Sequence, residues 1–141
     1  MKNKMTLDEL LAKANAKRSR KTPSDEEHRI QVSCVRWFNL KYPHLRGRLF
    51  AVPNGGRRDA VTGARLKAEG VIAGVSDFIL LKSNRRYGAL LIEMKRKDGR
   101  QSVSQRWWQS VITKDDEYKY VVCYSFDDFM REVTDFLNDC E

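Results

Sequence analysis

Cysteine is scarce in this chain and badly spaced for chemistry. Cys34, Cys123 and Cys140 are odd in number, far apart and without a CxxC pair. That excludes a disulfide framework and offers no zinc site. Histidine is rarer still. His28 and His44 stand without the neighbouring Asn or Asp that a histidine-based hydrolase needs. No apolar run reaches the ~18 residues of a membrane helix, so no membrane partner is expected. The N-terminal stretch MKNKMTLDELLAKANAKRSRK has no apolar core and does not read as a secretory signal. Its basic, helical character is compatible with a transit peptide, but Asp8 and Glu9 weigh against one. The expected compartment is the cytoplasm.

What is present is positive charge, unevenly spread. The 141 residues carry 27 Lys and Arg against 19 Asp and Glu, a net +8. Residues 115–141 hold nine of the acids and two of the bases, leaving 25 bases and ten acids in 1–114. A polyanion such as nucleic acid would bind the basic part. A merely solvated basic surface explains the charge equally well.

The length suits one domain. TLDELLAKANAK starts a short helix, with Thr6 and Glu9 in capping-box spacing. RSRKTPS reads as a basic linker. Residues 1–22 therefore form a basic, partly helical arm, and 23–141 the domain. SDEEHRIQVSCVRWFNLKYP predicts a helix capped by Ser24, with Glu27 at the matching box position and Pro43 as the stop. RLFAV, VSDFILL, GALLIEMK and YKYVVCYS predict strands. ARLKAEG, SVSQRWWQSVITK and FDDFMREVTDFLNDC predict helices, with Gly70 closing the first and Ser102 or Ser104 opening the second. PNGGRRDAVTG reads as a loop, and KSNRRYG connects two of the strands. Near-continuous apolar strands imply a sheet covered on both faces. The fold class is α/β, with a mixed central sheet flanked by helices.

Charges interrupt two of these strands. Alternation points Glu93 and Lys95 to one face and Ile92 and Met94 to the other. Asp77 falls in the middle of the preceding strand, and pairing of the two strands brings it near Glu93. Two adjacent carboxylates repel, and a hard cation such as Mg²⁺ relieves this with carboxylate, water and phosphate oxygens. The backbone carbonyl of Met94 offers one more oxygen. Lys95 then has the position to orient a water and steady developing negative charge. Two acids and a lysine are what metal-assisted phosphodiester hydrolysis requires. The pattern D…ExK alone is also common by chance, as a salt bridge within a sheet.

The surrounding residues add context: Glu27 with Gln31, Pro53-Asn54, GVIAGVSD ending at Asp77, EMK from Glu93 to Lys95, and SVSQ ending at Gln105. Together they resemble the VRR-NUC branch of the PD-(D/E)XK nuclease superfamily over about residues 24–125. The family often has proline before the aspartate, where this chain has Ser76. The resemblance implies a restriction-endonuclease-like core, Mg²⁺ dependence with Mn²⁺ able to substitute, Asp77 and Glu93 as metal ligands, and Lys95 as the catalytic lysine. It places Glu27 near the metal and Gln105 at the active site. Each has a plainer reading, as the box residue behind Ser24 and behind Ser102 respectively. Gln31 would orient Glu27, contact substrate, or simply be a polar helix residue. Asn54 and Gly55 would approach phosphate through backbone N–H groups, or only form a turn.

Arg57, Arg58, Arg85, Arg86, Arg96, Lys97, Arg100 and Arg106 are candidates for phosphate contacts, several of them expected to be only solvated. Trp107 and Trp108 are adjacent on a helix, so one belongs to the core and the other faces an interface, DNA or solvent. The resemblance further implies a stand-alone phage or bacterial domain that acts as a homodimer on branched DNA such as four-way junctions, leaving 5′-phosphates. The rivals are a less structure-selective endo- or exonuclease, a non-catalytic nucleic-acid-binding module, and an assembly protein with a basic surface.

Overall fold

The computed structural model describes residues 6–9, 23–53 and 60–140. Residues 7–9 are helical, and Thr6 and Glu9 cap each other reciprocally: Thr6 N–H donates to Glu9 Oε2 at 3.0 Å and Glu9 N–H to Thr6 Oγ1 at 3.3 Å. The rest of the arm lies outside the described residues, as do Asn54, Gly55, Arg57 and Arg58.

Helix α1 spans Pro23–Lys41. Proline suits the first helical position because its fixed φ is already helical and its missing N–H would be unpaired there. Asp25 and Glu26 in the first turn and Lys41 in the last complement the helix dipole. The helix begins at Pro23, one residue before the expected cap Ser24, whose side chain, and with it the expected Ser24–Glu27 box, lies outside what the structure describes. Pro43 ends α1 and opens a 3₁₀ turn, Pro43–Leu45.

Strand β1 is Leu49–Ala51, helix α2 Ala60–Ala68, β2 Phe78–Leu80, β3 Leu90–Met94, helix α3 Val103–Thr113, β4 Lys119–Cys123, and helix α4 Phe126–Asn138. The sheet runs β1-β2-β3-β4, with antiparallel pairing up to β3 and parallel pairing of β3 with β4. The chain reverses from β2 to β3 through the connection 81–89, whereas the parallel step to β4 needs α3 as a crossover. This is a mixed α/β sheet, as expected.

Its two faces differ. Phe78, Leu80, Leu90, Ile92 and Cys123 share one buried cluster with Cys34 and Phe38 of α1 and Phe129, Val133 and Phe136 of α4. In α4 the buried residues follow helical spacing behind Ser125, whose side chain accepts from Asp128 N–H. Truncating Phe129, fully buried against Phe78 and Trp37, costs about 3–5 kcal/mol by the usual aromatic-to-alanine loss. The opposite face meets α3, where Trp108 packs on Tyr120. Both faces of β3 are thus covered, which explains the apolar run Leu90–Ile92 that precedes Glu93.

Candidate active site

The register Phe78↔Ile92 extends by one step to set Asp77 opposite Glu93. With Phe78 and Ile92 turned into the α1/α4 core, Asp77 and Glu93 both face α3. Asp77 precedes β2 by one residue instead of lying mid-strand, which corrects the sequence expectation. Its place is fixed by two bonds: its carbonyl accepts from Val52 N–H at 2.8 Å, and its Oδ2 accepts from Met94 N–H at 2.8 Å. A strand residue sends its N–H and C=O to the same side, so the Met94 carbonyl leaves β3 on the Asp77 side too. Ser76, where the family often has proline, is fully buried, and its Oγ donates to the Phe78 carbonyl at 3.0 Å. A side-chain bond holds the turn that proline would stiffen.

Glu93 is only 2% exposed. Its Oε1 accepts from Gln105 Nε2 at 2.8 Å and lies 3.7 Å from Lys95 Nζ. Its Oε2 is buried and receives no N–H or O–H from the described residues, while the Glu93 carboxyl lies within hydrogen-bond reach of Asp77, so the two acids can share a proton. Burial pushes the Glu93 carboxyl up to about 8, helped by the Asp77 charge and opposed by Lys95. Burial also raises Asp77, against the pull of the Met94 N–H. Each group wants a positive neighbour, and Lys95 alone satisfies neither fully.

Gln105 reconciles its two sequence readings. Ser102 caps α3 by accepting from Gln105 N–H, while Gln105 Oε1 accepts from Ser102 N–H at 2.8 Å. The same amide reaches Glu93 through Nε2. Because the cap occupies the oxygen, the nitrogen must face the carboxylate.

Glu27 and Gln31 of α1 line the same cavity, together with Asp77, Glu93, Lys95 and Gln105. It measures about 700 Å³, ample for a phosphodiester segment. Glu27 Oε1 pairs with Arg96 Nε at 3.0 Å across its rim. Arg96, Lys97 and Arg100 also line it. Arg85 and Arg86 do not: they sit in the β2–β3 connection at the other end of the sheet, with Arg86 paired to Asp116 at 3.1 Å. Arg106 lies in the first turn of α3, its guanidinium donating to the Gln101 carbonyl. Trp108 is 8% exposed, whereas Trp107, at 53%, lines an apolar depression with Val71, Ile72 and Val103.

Sequence reasoning missed Tyr124 and Ser125, which border the cavity from the end of β4. The signal was the parallel β3–α3–β4 unit, since crevices open outside the carboxyl ends of such strands. It also missed Tyr120 beneath Glu93. Its phenol, bonded by Gln101 Nε2 at 3.2 Å, is pushed up to about 12 by burial and then by the Glu93 charge.

Among the described residues no group of three or more His, Cys, Asp and Glu converges on one point. Two carboxylates do. That donor set fits Mg²⁺ or Mn²⁺, which commonly takes one or two carboxylates and completes its shell with water and phosphate. Glu93 Oε2, Asp77 and the Met94 carbonyl are the oxygens available to it. Among the described residues no helix is long and apolar enough to cross a membrane.

A search of curated proteins finds no match. The fold is similar to a solved structure described as a VRR_NUC domain protein, with a TM-score of 0.70 and 19% identity over 86% of this chain and 94% of that one. The family model of the VRR-NUC domain matches residues 25–127, from the first turn of α1 into α4. The chain belongs to the VRR-NUC domain family, a family of nuclease domains.

Proposed function

We propose that this protein is a Mg²⁺- or Mn²⁺-dependent deoxyribonuclease whose site is built on Asp77, Glu93, Lys95 and Gln105. The observation that carries the reading is the buried Glu93 carboxyl, whose Oε2 meets no N–H or O–H donor among the described residues, beside a second carboxylate, Asp77. Two buried carboxylates side by side either share a proton or need a cation before both can ionise.

The bound cation supplies a Lewis acid and a water of lowered pKa. The chain's own residues do the rest. Asp77 and Glu93 hold the cation at the end of the sheet, with the Met94 carbonyl beside them. Gln105 fixes the Glu93 carboxylate through Oε1, leaving Oε2 for the ion. Lys95 places its ammonium next to that pair, where it orients the attacking water and stabilises charge on the phosphate oxygens. Arg96, Lys97 and Arg100 receive the flanking phosphates. Glu27 acts through Arg96 on the rim, and Gln31 lies beside it. Asn54, Gly55, Arg57 and Arg58, which lie outside the described residues, are further candidates for phosphate contacts.

The substrate we favour is branched DNA, cut by a homodimer with two sites at a fixed spacing. A two-fold junction matches a two-fold enzyme. The test uses labelled four-way junction, flap and linear duplex, each with Mg²⁺, Mn²⁺ or chelator. Symmetric junction nicks that require metal and vanish in Glu93→Gln are expected. Uniform cutting of all three would remove the junction preference. Binding without cutting by folded protein would overturn the nuclease reading.

A further inference from the structure

We infer that Gly74 is a positioning residue: it seats the first turn of α3 against the segment leading to Asp77, and so sets Gln105 against Glu93. A Cβ on Gly74 would lie 2.3 Å from the Ser104 carbonyl oxygen, 2.4 Å from its carbon and 2.8 Å from Gln105 N. These are backbone atoms that no rotamer change can move, and the shortfall from ordinary contact exceeds an ångström. The two backbones touch because nothing stands between them. Gly74 also has φ +92°, which side-chain-bearing residues rarely adopt.

The contact has consequences on both sides. Three residues after Gly74, Asp77 is pinned by its bonds to Val52 and Met94, and Ser76 is buried between them. On the other side, the touched atoms belong to Ser104 and Gln105 themselves. Gly74 therefore gauges the gap between the β2–β3 carboxylates and α3. A larger residue would push the first turn of α3 outward by about the misfit, and the 2.8 Å bond from Gln105 Nε2 to Glu93 Oε1 would not survive it.

Gly70 supplies the control. It too has positive φ, +104°, but a Cβ there meets nothing within 4 Å. Gly70→Ala imposes the backbone strain alone, and Gly74→Ala adds the displacement. The first measurement is NMR of the Gln105 side-chain amide in metal-free protein. We expect its signal to shift and its water exchange to quicken in Gly74→Ala, and to stay as in wild type in Gly70→Ala. Equal changes in both variants, or none in Gly74→Ala, would overturn the inference.

The second measurement rests on the nuclease reading: kcat in Gly74→Ala should fall about 100-fold, the usual effect of an ångström's misplacement, with KM unchanged. In a Gln105→Glu background the same change should have no further effect on kcat. An additive loss would overturn the route through Gln105. A wild-type protein that cuts no DNA would sink the nuclease reading, while the amide signal still decides the role of Gly74. Should Gly74→Ala fail to fold, Ser102→Ala loosens the same turn from the helix side and must quicken the Gln105 amide exchange. An unchanged signal there would overturn the proposal.

Discussion

The side chain of Gln105 joins a helix cap to Glu93: one amide oxygen closes the turn at Ser102, and the nitrogen beside it grips the carboxylate. Gln105→Glu keeps the cap, because glutamate serves equally at that box position, but loses the donor. Gln105→Ala loses both. Loss of a hydrogen bond to a charged group is worth about 1.5–3 kcal/mol, so both variants should lose roughly 10- to 100-fold in kcat. Only the alanine should also lose about 1 kcal/mol of cap stability, read by chemical denaturation in Mg²⁺.

Glu93→Gln removes the charge that burial penalises. Cleavage should disappear, with DNA binding equal or tighter by fluorescence anisotropy, since a negative charge facing the phosphate is gone. Thermal melting of the metal-free variant at pH 8 should match or exceed wild type. A lower melting point would mean that Glu93 is satisfied in the metal-free protein after all.

Stability should depend on pH in a direction unusual for a carboxylate. The Glu93 carboxyl is raised from 4.5 to about 8, by burial first and the Asp77 charge second. Between those values the folded protein keeps a proton that the unfolded chain has released. Metal-free stability therefore falls as pH rises through this window and levels off above it. Added Mg²⁺ should stabilise little at pH 5.5 and clearly at pH 8.5, as judged by melts against chelator. Equal Mg²⁺ shifts at both pH values would contradict the placement of the ion at Glu93.

Lys95→Ala should lower kcat by about 10²- to 10³-fold, the usual loss when one stabilising group for developing charge is removed. Titration calorimetry should show Mg²⁺ affinity largely kept, because the lysine is not a ligand. Wild-type turnover would take Lys95 out of the mechanism.

The arginines separate by position. Arg96→Ala should reduce the slope of log binding constant against log salt by about one unit, as one phosphate contact is lost. Arg86→Ala, at the far end of the sheet, should leave the slope unchanged. Neither should alter stability by more than about 1 kcal/mol, since both ion pairs are exposed.

Strand alternation and capping boxes made much of the site legible in sequence. Period-two apolar spacing assigned Glu93 and Lys95 to one face, and Ser102 announced where α3 begins. What escaped was tertiary. Glu27 has the local spacing of a box residue behind Ser24, yet its carboxylate pairs with Arg96, 69 positions away. Asp77 read as mid-strand because FILL continues its apolar run, whereas the ladder to β3 starts at Phe78. Arg85 and Arg86 resembled a phosphate surface until the direction of the strands put them at the wrong end. Gly74 reads in sequence only as a turn glycine within GVIAGVSD, because its steric demand comes from a backbone 30 positions later.

The connection between β2 and β3 is itself well bonded. Asn84 Oδ1 accepts from Arg86 and Tyr87 N–H, and its Nδ2 donates to the Phe136 carbonyl. Asp77 and Glu93 lie at the opposite, open end of that hairpin. Strand pairing that spreads from the turn reaches them last, so their repulsion weighs little on the climb to the folding barrier and fully on the far side of it. A divalent ion should then leave the refolding rate nearly untouched and act on the unfolding rate, lengthening the native lifetime of the loaded protein rather than hastening its formation.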